Sequence, residues 1–500
     1  MVFLSKTEST ISDGLAASFE HGKKIIPVLP VPNTFDDGGL LLIEPNNKIY
    51  VRAVTGWFVA WRWALVWATQ LVFYGLPWLQ WNERQAVLFD LGTQRFFLFG
   101  LALYPQDLIY LAVLLMLAAL LLFFVTAVAG RVWCGFACPQ TVYTEMFLWV
   151  ERHLEGSHHA RKRLDASGWT VEKIARKGGK QTAWLLLSLW TGFTFVGYFT
   201  PIQILWDAAL VMGWVPWESF WIGFYGLATY VNAGYLREQM CKHACPYGRF
   251  QGAMMDRDTL IIGYDEARGE ARGSRGRNAD LKALGLGDCI DCTLCVQVCP
   301  TGIDIRDGLQ SNCIGCAACI DVCDSVMDQM QYPQGLIRYT TQNGLAHGWD
   351  KPTLLKRVLR KRVLVYATLL LAAVLAFVAS VGLRSPFRFD VVRDRGVLAR
   401  VVNDGAVENV YRLHVMNATE EVQRYRVAVL GLTGLALLRP LELSLGPVEA
   451  RTVPLGLQLP HVTASALAGQ TLAIQVEVTR IGPEDAPVRV LEKTTFHVPL

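Results

Sequence analysis

The sequence predicts a multidomain chain: an α-helical membrane bundle of five transmembrane helices, an α+β domain inserted before the last of them, and a C-terminal immunoglobulin-like β-sandwich. Three observations predict it. Five apolar segments each approach the roughly 20 residues that cross a bilayer. All twelve cysteines of the 500-residue chain lie between Cys134 and Cys323. Beyond residue 386 the pattern turns to short runs rich in Val, Leu and Thr, separated by turn residues. Composition agrees, with 52% of residues hydrophobic and 18% charged, against about a quarter charged in a typical soluble domain. A net charge of +4 is too small to argue for nucleic acid.

The first 20 residues hold no basic stretch followed by an apolar run, so 1–56 reads as a cytoplasmic N-terminal segment rather than a secretory signal. Residues 57–262 form the membrane region, with spans at about 57–78, 107–129, 182–200 and 217–236; the fifth span is 363–383. Arg62, near the start of the first, is expected to snorkel to the interface. Lys and Arg set the orientation. Loop 131–181 holds nine and loop 237–362 seventeen, whereas 79–106 holds only Arg84 and Arg95 and 201–216 holds none. The positive-inside rule then places the N-terminus, 131–181 and 237–362 in the cytoplasm, and everything after residue 383 in the periplasm of a bacterium. Every cysteine falls on the cytoplasmic side, where a reducing compartment favours metal ligation over disulfides.

Two cysteine runs occupy 288–345. The first is Cys289, Cys292, Cys295 and Cys299, followed by Pro300; the second is Cys313, Cys316, Cys319 and Cys323, followed by Asp324. This is the C-x2-C-x2-C-x3-C spacing of bacterial ferredoxins, present twice, in which the fourth cysteine ligates the other cluster. Three thiolates at three-residue intervals wrap one cubane only from an irregular loop. The assignment is therefore one 4Fe–4S cluster on Cys289, Cys292, Cys295 and Cys323, and a second on Cys299, Cys313, Cys316 and Cys319. Zinc sites pair C-x2-C units across a longer gap and fit less well. Residues 263–287, with ARGEARGSRGRNAD at 267–280, read as a flexible linker to the membrane region.

GDCIDCTLCVQVCPTGIDIRDGLQ and CIGCAACIDVCD, with FFVTAVAGRVWCGFACPQTVYTE, WTGFTFVGYFTPI, NAGYLREQMC and WNERQAVLFDLGTQRFFLFG, resemble the CcoG/FixG/RdxA family of cytochrome c oxidase accessory proteins over most of 48–345. The resemblance implies assembly of a copper-containing cbb3-type oxidase, with reduction of Cu(II) to Cu(I) as the activity. The partners it implies are copper ions, a copper transporter or chaperone, and oxidase subunits, with the electron donor unknown. It also implies the immunoglobulin-like domain at the C-terminus.

A second cysteine set is C-x3-C-P, found at Cys134–Cys138 past the second span and at Cys241–Cys245 past the fourth. On a helix, positions i and i+4 share a face, so each pair is expected to present two thiolates. Four together suit a third iron–sulfur cluster or a Cu ion, while buried inert thiols are the plainer alternative. His243 reads as a hydrogen-bonding partner, and His158–His159 beside Arg161, Lys162 and Arg163 as a solvated basic face. Arg249 and Arg257 are candidates for balancing cluster charge or anchoring at the interface.

In 387–500, runs such as 396–402, 410–415, 425–429, 472–479 and 488–495 suggest about seven strands of a sandwich, with turns at 403–405, Asn417 and 482–483. No catalytic constellation appears there, so it reads as a docking module; His414, His461 and Met416 are weighed as copper contacts and read as packing. No G-x-G-x-x-G follows a strand, so a nicotinamide or flavin would have to belong to a partner. Two rival readings stand beside copper reduction. One is a membrane conduit passing electrons from quinol to a periplasmic reductase; the other is a scaffold with structural clusters. A homodimer is a further candidate assembly.

Overall fold

The computed structural model describes residues 48–500 apart from 83, 212, 278, 280–283, 395, 397–398, 403–404 and 482–487, together with residues 19–20 and 23–24. The last two pairs are strands β1 (Phe19–Glu20) and β2 (Lys23–Lys24), antiparallel to each other. The rest of 1–47, and the turns expected at 403–404 and 482–483, lie outside the described residues.

All five apolar segments are helical. In chain order come α1 (Trp57–Gly75), α2 (Leu108–Ala129), α3 (Val132–Phe136), α4 (Pro139–Glu155), α5 (His158–Ala166), α6 (Val171–Val196), α7 (Ile202–Leu210) and α8 (Pro216–Val231). Among the described residues two apolar helices, Pro105–Ala129 and Lys361–Gly382, are long and apolar enough to cross a membrane. The five-span expectation is thus met in full only by these two. The reasons are local: α1, long enough at 19 residues, is made less apolar by Arg62, Gln70 and its four tryptophans, α8 unwinds into a π turn at Asn232–Leu236, and α6 opens with Glu172, Lys173, Arg176, Lys177 and Lys180. α6 and α8 approach through Gly192 and Gly226, where a Cβ on Gly192 would strike the Ile222 carbonyl; close backbone approach through small residues is how helices associate in an apolar medium.

The two ends of α2 meet different domains. At its N-terminal end a three-stranded meander, β5 (Val87–Asp90), β6 (Arg95–Leu98) and β7 (Leu101–Leu103), follows the short pair β3 (Gln80–Trp81) and β4 (Arg84–Gln85). Leu88, Phe97, Ala102 and Tyr104 bury against Met416, Ala418 and Val448 of the C-terminal domain. Asp107, 2% exposed, is paired with Arg384 at 3.2 Å and Arg388 at 2.7 Å.

At the other end of α2 sits the cysteine-rich domain. β8 (Ile261–Tyr264) pairs antiparallel with β9 (Ile337–Thr340) around α10 (Leu294–Gln297) and α11 (Ala318–Met330), α9 being Pro246–Met254. This corrects the linker expected at 263–287 for its described residues, 278 and 280–283 lying outside them. Arg268 is bonded to Asp288, the Gly273 amide donates to the Cys289 carbonyl, and Arg275 donates to the carbonyls of Gly287 and Cys289. The arginines that made the stretch look solvated tie it to the first cysteine loop. The domain is also fastened to α1: the Phe58 and Val59 amides donate to the Asp321 carboxylate at 3.2 and 2.8 Å, a cap supplied from another domain to amides the helix cannot satisfy itself. Gly56 allows it, since any Cβ there would overlap the Asp321 side chain.

The chain then runs through α12 (Lys361–Gly382) into a two-sheet sandwich. β10 (Phe387–Arg393), β12 (Val407–Asn417), β16 (Ala450–Leu459) and β14 (Ala436–Leu437) form one sheet, with β11 (Arg400–Val401) on β12; β15 (Glu442–Leu445), β13 (Gln423–Leu430), β17 (Thr471–Ile481) and β18 (Arg489–His497) form the other. Inward residues such as Tyr411, Leu413, Tyr425, Val476 and Phe496 build its core, the period-two arrangement of an immunoglobulin-like sandwich.

Candidate metal centres

All twelve cysteines are free thiols. Cys289, Cys292, Cys295 and Cys323 line one cavity of about 380 Å³, walled by Leu294, Val326, Met327 and Leu336. Cys299, Cys313, Cys316 and Cys319 line another of about 340 Å³, walled by Ile262, Ile303, Ile305 and Ile314, with Cys295 bordering both. The fourth cysteine of each run has crossed to the other run's cavity. The loops achieve this with left-handed residues at matching positions, Asp291 and Gly315 after the first cysteine, Thr293 and Ala317 after the second; a non-glycine residue held there costs of order 1 kcal/mol and persists where its surroundings demand it.

Among the described residues no three His, Cys, Asp or Glu side chains converge as one ion would need. Around each cavity four soft donors in an otherwise apolar wall suit a multi-iron cluster. Burial, with the neighbouring thiols, pushes Cys323 and Cys313 up to about 12, so these thiols would stay protonated until a bound cationic metal displaced their protons to solvent. A cation attends each cavity. Arg306 lines the first. Arg62, beside Cys316, is 7% exposed and paired with Glu145 at 2.8 Å, so it does not snorkel. Arg131 donates to the carbonyls of Ser311 and Gly248. The paired strands supply symmetric aromatic neighbours: Tyr264, opposite Ile337, lines the first cavity, and Tyr339, opposite Ile262, donates to the Gly315 carbonyl by the second. The sequence reading did not single out Arg131, Arg306, Tyr264 or Tyr339; the position of Arg131, three residues before Cys134, was the available signal.

The C-x3-C-P cysteines depart from the expected helical faces. Cys134 lies in α3, but Cys138 is extended and caps α4; Cys241 lies in a π turn, Met240–Ala244, and Cys245 is extended and caps α9. The prolines are the cause. Pro139 and Pro246 each force the residue before them out of the helical region and start a new helix. The four thiols still gather: Cys138 and Cys245 both act on Cys134, and all three act on Cys241. Cys134 and Cys241 pack on the core containing Cys316, and a Cβ on Gly135 would lie 2.8 Å from the Cys316 backbone. The third thiol group therefore abuts the second cavity.

His243 keeps Nε2 buried without a partner among the described residues. His158 is buried, stacked edge-on against Tyr50 and His159, so the basic face expected there is partly interior. The side chain of Arg249 lies outside the described residues; Arg257 offers its carbonyl to Asn343. His414 bonds Thr452, His461 the Gly405 carbonyl, and Met416 is buried against the meander.

Residues 236–342 match a 4Fe–4S dicluster domain, 111–156 a 4Fe–4S binding domain, and 377–499 the Ig-like fold at the C-terminus of FixG. Protein RdxA of Cereibacter sphaeroides is 39% identical over 474 residues, covering 91% of this chain and 98% of that protein. RdxB of the same organism is 38% identical over 91% of this chain and 97% of that protein. Nitrogen fixation protein FixG of Rhizobium meliloti is 35% identical over 84% of this chain and 86% of that protein. The dicluster match embraces both cysteine runs, and with relatives aligned along nearly the whole length this chain is an iron–sulfur electron-transfer protein that belongs to the FixG/RdxA family.

Proposed function

We propose that the protein is a multi-pass protein of the bacterial inner membrane that carries single electrons from the cytoplasm to the C-x3-C-P thiols, where Cu(II) is reduced to Cu(I) for assembly of a cbb3-type oxidase. The observation that carries this reading is the contiguous order of the three thiol groups, the first cavity sharing Cys295 with the second, and Cys134 and Cys241 packing on the apolar cluster that holds Cys316 of the second. Clusters bound in the two cavities would supply one-electron transfer. The assigned ligands are Cys289, Cys292, Cys295 and Cys323 for one and Cys299, Cys313, Cys316 and Cys319 for the other. The 4Fe–4S match over 111–156 favours a third cluster on Cys134, Cys138, Cys241 and Cys245, with copper arriving as substrate. Each Cu(II) takes one electron, and a reduced donor of the cytoplasm loses one. The five-span orientation is favoured by the meander at 87–103 packing on the C-terminal domain while every cysteine segment gathers at the far end of α2.

Anaerobic mixing of dithionite-reduced protein with Cu(II) and a Cu(I) chelator tests the reading. Stoichiometric Cu(I) is expected, with about twelve iron atoms per chain for three clusters and about eight for two. Absence of copper reduction with rapid oxidation of added quinol would establish the conduit, and neither reaction the scaffold. Cys292→Ser should remove one cluster signal by EPR, whereas Cys134→Ser should spare both ferredoxin-type signals and abolish Cu(I) formation.

A further inference from the structure

A second kind of cavity, about 390 Å³, lies under the strap 51–54 and is lined by Arg52, Arg62, Arg152 and Arg161, with Glu145 as the one acidic side chain. The four guanidinium groups face two carboxylates, Glu145, shared by Arg62 at 2.8 Å and Arg152 at 3.0 Å, and Glu151 behind Arg161, which leaves an excess of positive charge. Arg161 is the sharper anomaly. It is 1% exposed, yet its Nε has no partner among the described residues. Its Nη1 stands 3.6 Å from Glu151, which also serves Arg237 at 2.8 Å and Lys48 at 3.8 Å. Buried charge normally finds a counter-charge and a full set of hydrogen bonds, so the unsatisfied Nε among these guanidinium groups suits the cavity to an anion.

Depth and geometry narrow the choice. The cavity opens beside the first turn of α1, where Trp57 and Trp61 are exposed as tryptophans at a headgroup boundary are. Planar guanidinium forks match tetrahedral oxyanions, and basic pockets between membrane helices on the cytoplasmic side take lipid headgroups. We propose that this cavity is a binding site for a phosphate group, held by Arg52, Arg152 and the unpartnered Nε of Arg161, whose Nη2 is already committed to the Val51 carbonyl. Its inner wall is Val298 and Ala318, neighbours of Cys299 and Cys319. A bound phosphate therefore adds negative charge beside the second thiol cavity and moves a cluster there to a more negative potential; this consequence rests on the cluster reading, whereas the binding does not.

The full chain is purified in a zwitterionic detergent and assayed two ways. Native mass spectrometry and phosphorus analysis follow its retention of cardiolipin after reconstitution into phosphatidylcholine discs with and without that lipid, and calorimetry follows inorganic phosphate. Selective cardiolipin retention identifies a lipid headgroup; saturable phosphate binding with no lipid preference identifies a free phosphate. Arg52→Gln and Arg152→Gln, at the rim, should weaken whichever binding occurs at least tenfold while leaving iron content unchanged. Binding of neither probe, or binding that both variants leave intact, overturns the site. If binding is present and the potential does not move, the cluster assignment is at fault rather than the anion site.

Discussion

Gly135 shows how much of the site depends on a missing atom. A Cβ there would lie 2.8 Å from the backbone of Gly315 and Cys316, and backbone, unlike a side chain, has no rotamer by which to yield. Gly135→Ala should lower stability by about 1–3 kcal/mol, read as a fall in the thermal unfolding midpoint, and should slow electron exchange between the second cavity and the C-x3-C-P thiols. Gly178→Ala, on an open face of α6 with nothing within 4 Å, is the control and should be neutral or slightly stabilising. At this scale the sequence was informative about ligands and silent about their supports. The twelve cysteines announced themselves by spacing. Arg62, read as a surface anchor, turned out to be an interior partner of Glu145, because 83 residues separate the two and nothing local marks the pair.

Among elements, the apolar helices and the sandwich strands were legible because periodicity and length report burial directly. Two errors have different causes. The C-x3-C-P motifs looked helical and 263–287 looked loose, but the prolines beside Cys138 and Cys245 broke the first and tertiary hydrogen bonds order the described residues of the second; only in the second is local propensity overridden by context. Where α2 and α12 meet the sandwich, Asp107 neutralises Arg384 and Arg388. Asp107→Asn leaves two guanidinium groups against one neutral amide and should cost about 3 kcal/mol, seen as selective proteolysis of the C-terminal domain with iron retained. The α5–α6 corner responds to pH. Asp165 is opposed by burial, but hydrogen bonds from Lys177, Lys48 and Tyr50 outweigh it and hold its carboxyl far below the usual range. A depressed folded value means that the contribution is complete above the unfolded value near 4 and drains away as pH falls below it. Asp165→Asn should therefore melt at a lower temperature than the parent at pH 7, with the gap closing below about pH 4.

For the molecule as a whole, the arrangement along α2 is polar: thiol groups at one end, the sandwich at the other. An export-dependent reporter fused after His347 should be inactive and one fused after Leu500 active; the opposite pattern removes the proposed orientation. Domain order was readable from composition, whereas the fastening between domains was not, since it is made by pairs hundreds of positions apart. The Asp321 carboxylate that holds the first amides of α1 is separated from them by 263 and 262 positions. On the ribosome the leading helix must therefore wait, its opening amides uncapped, until more than half of the polypeptide has been translated. A chain stalled before residue 321 holds neither the carboxylate that caps its first helix nor Cys323, the last thiol of its first cavity.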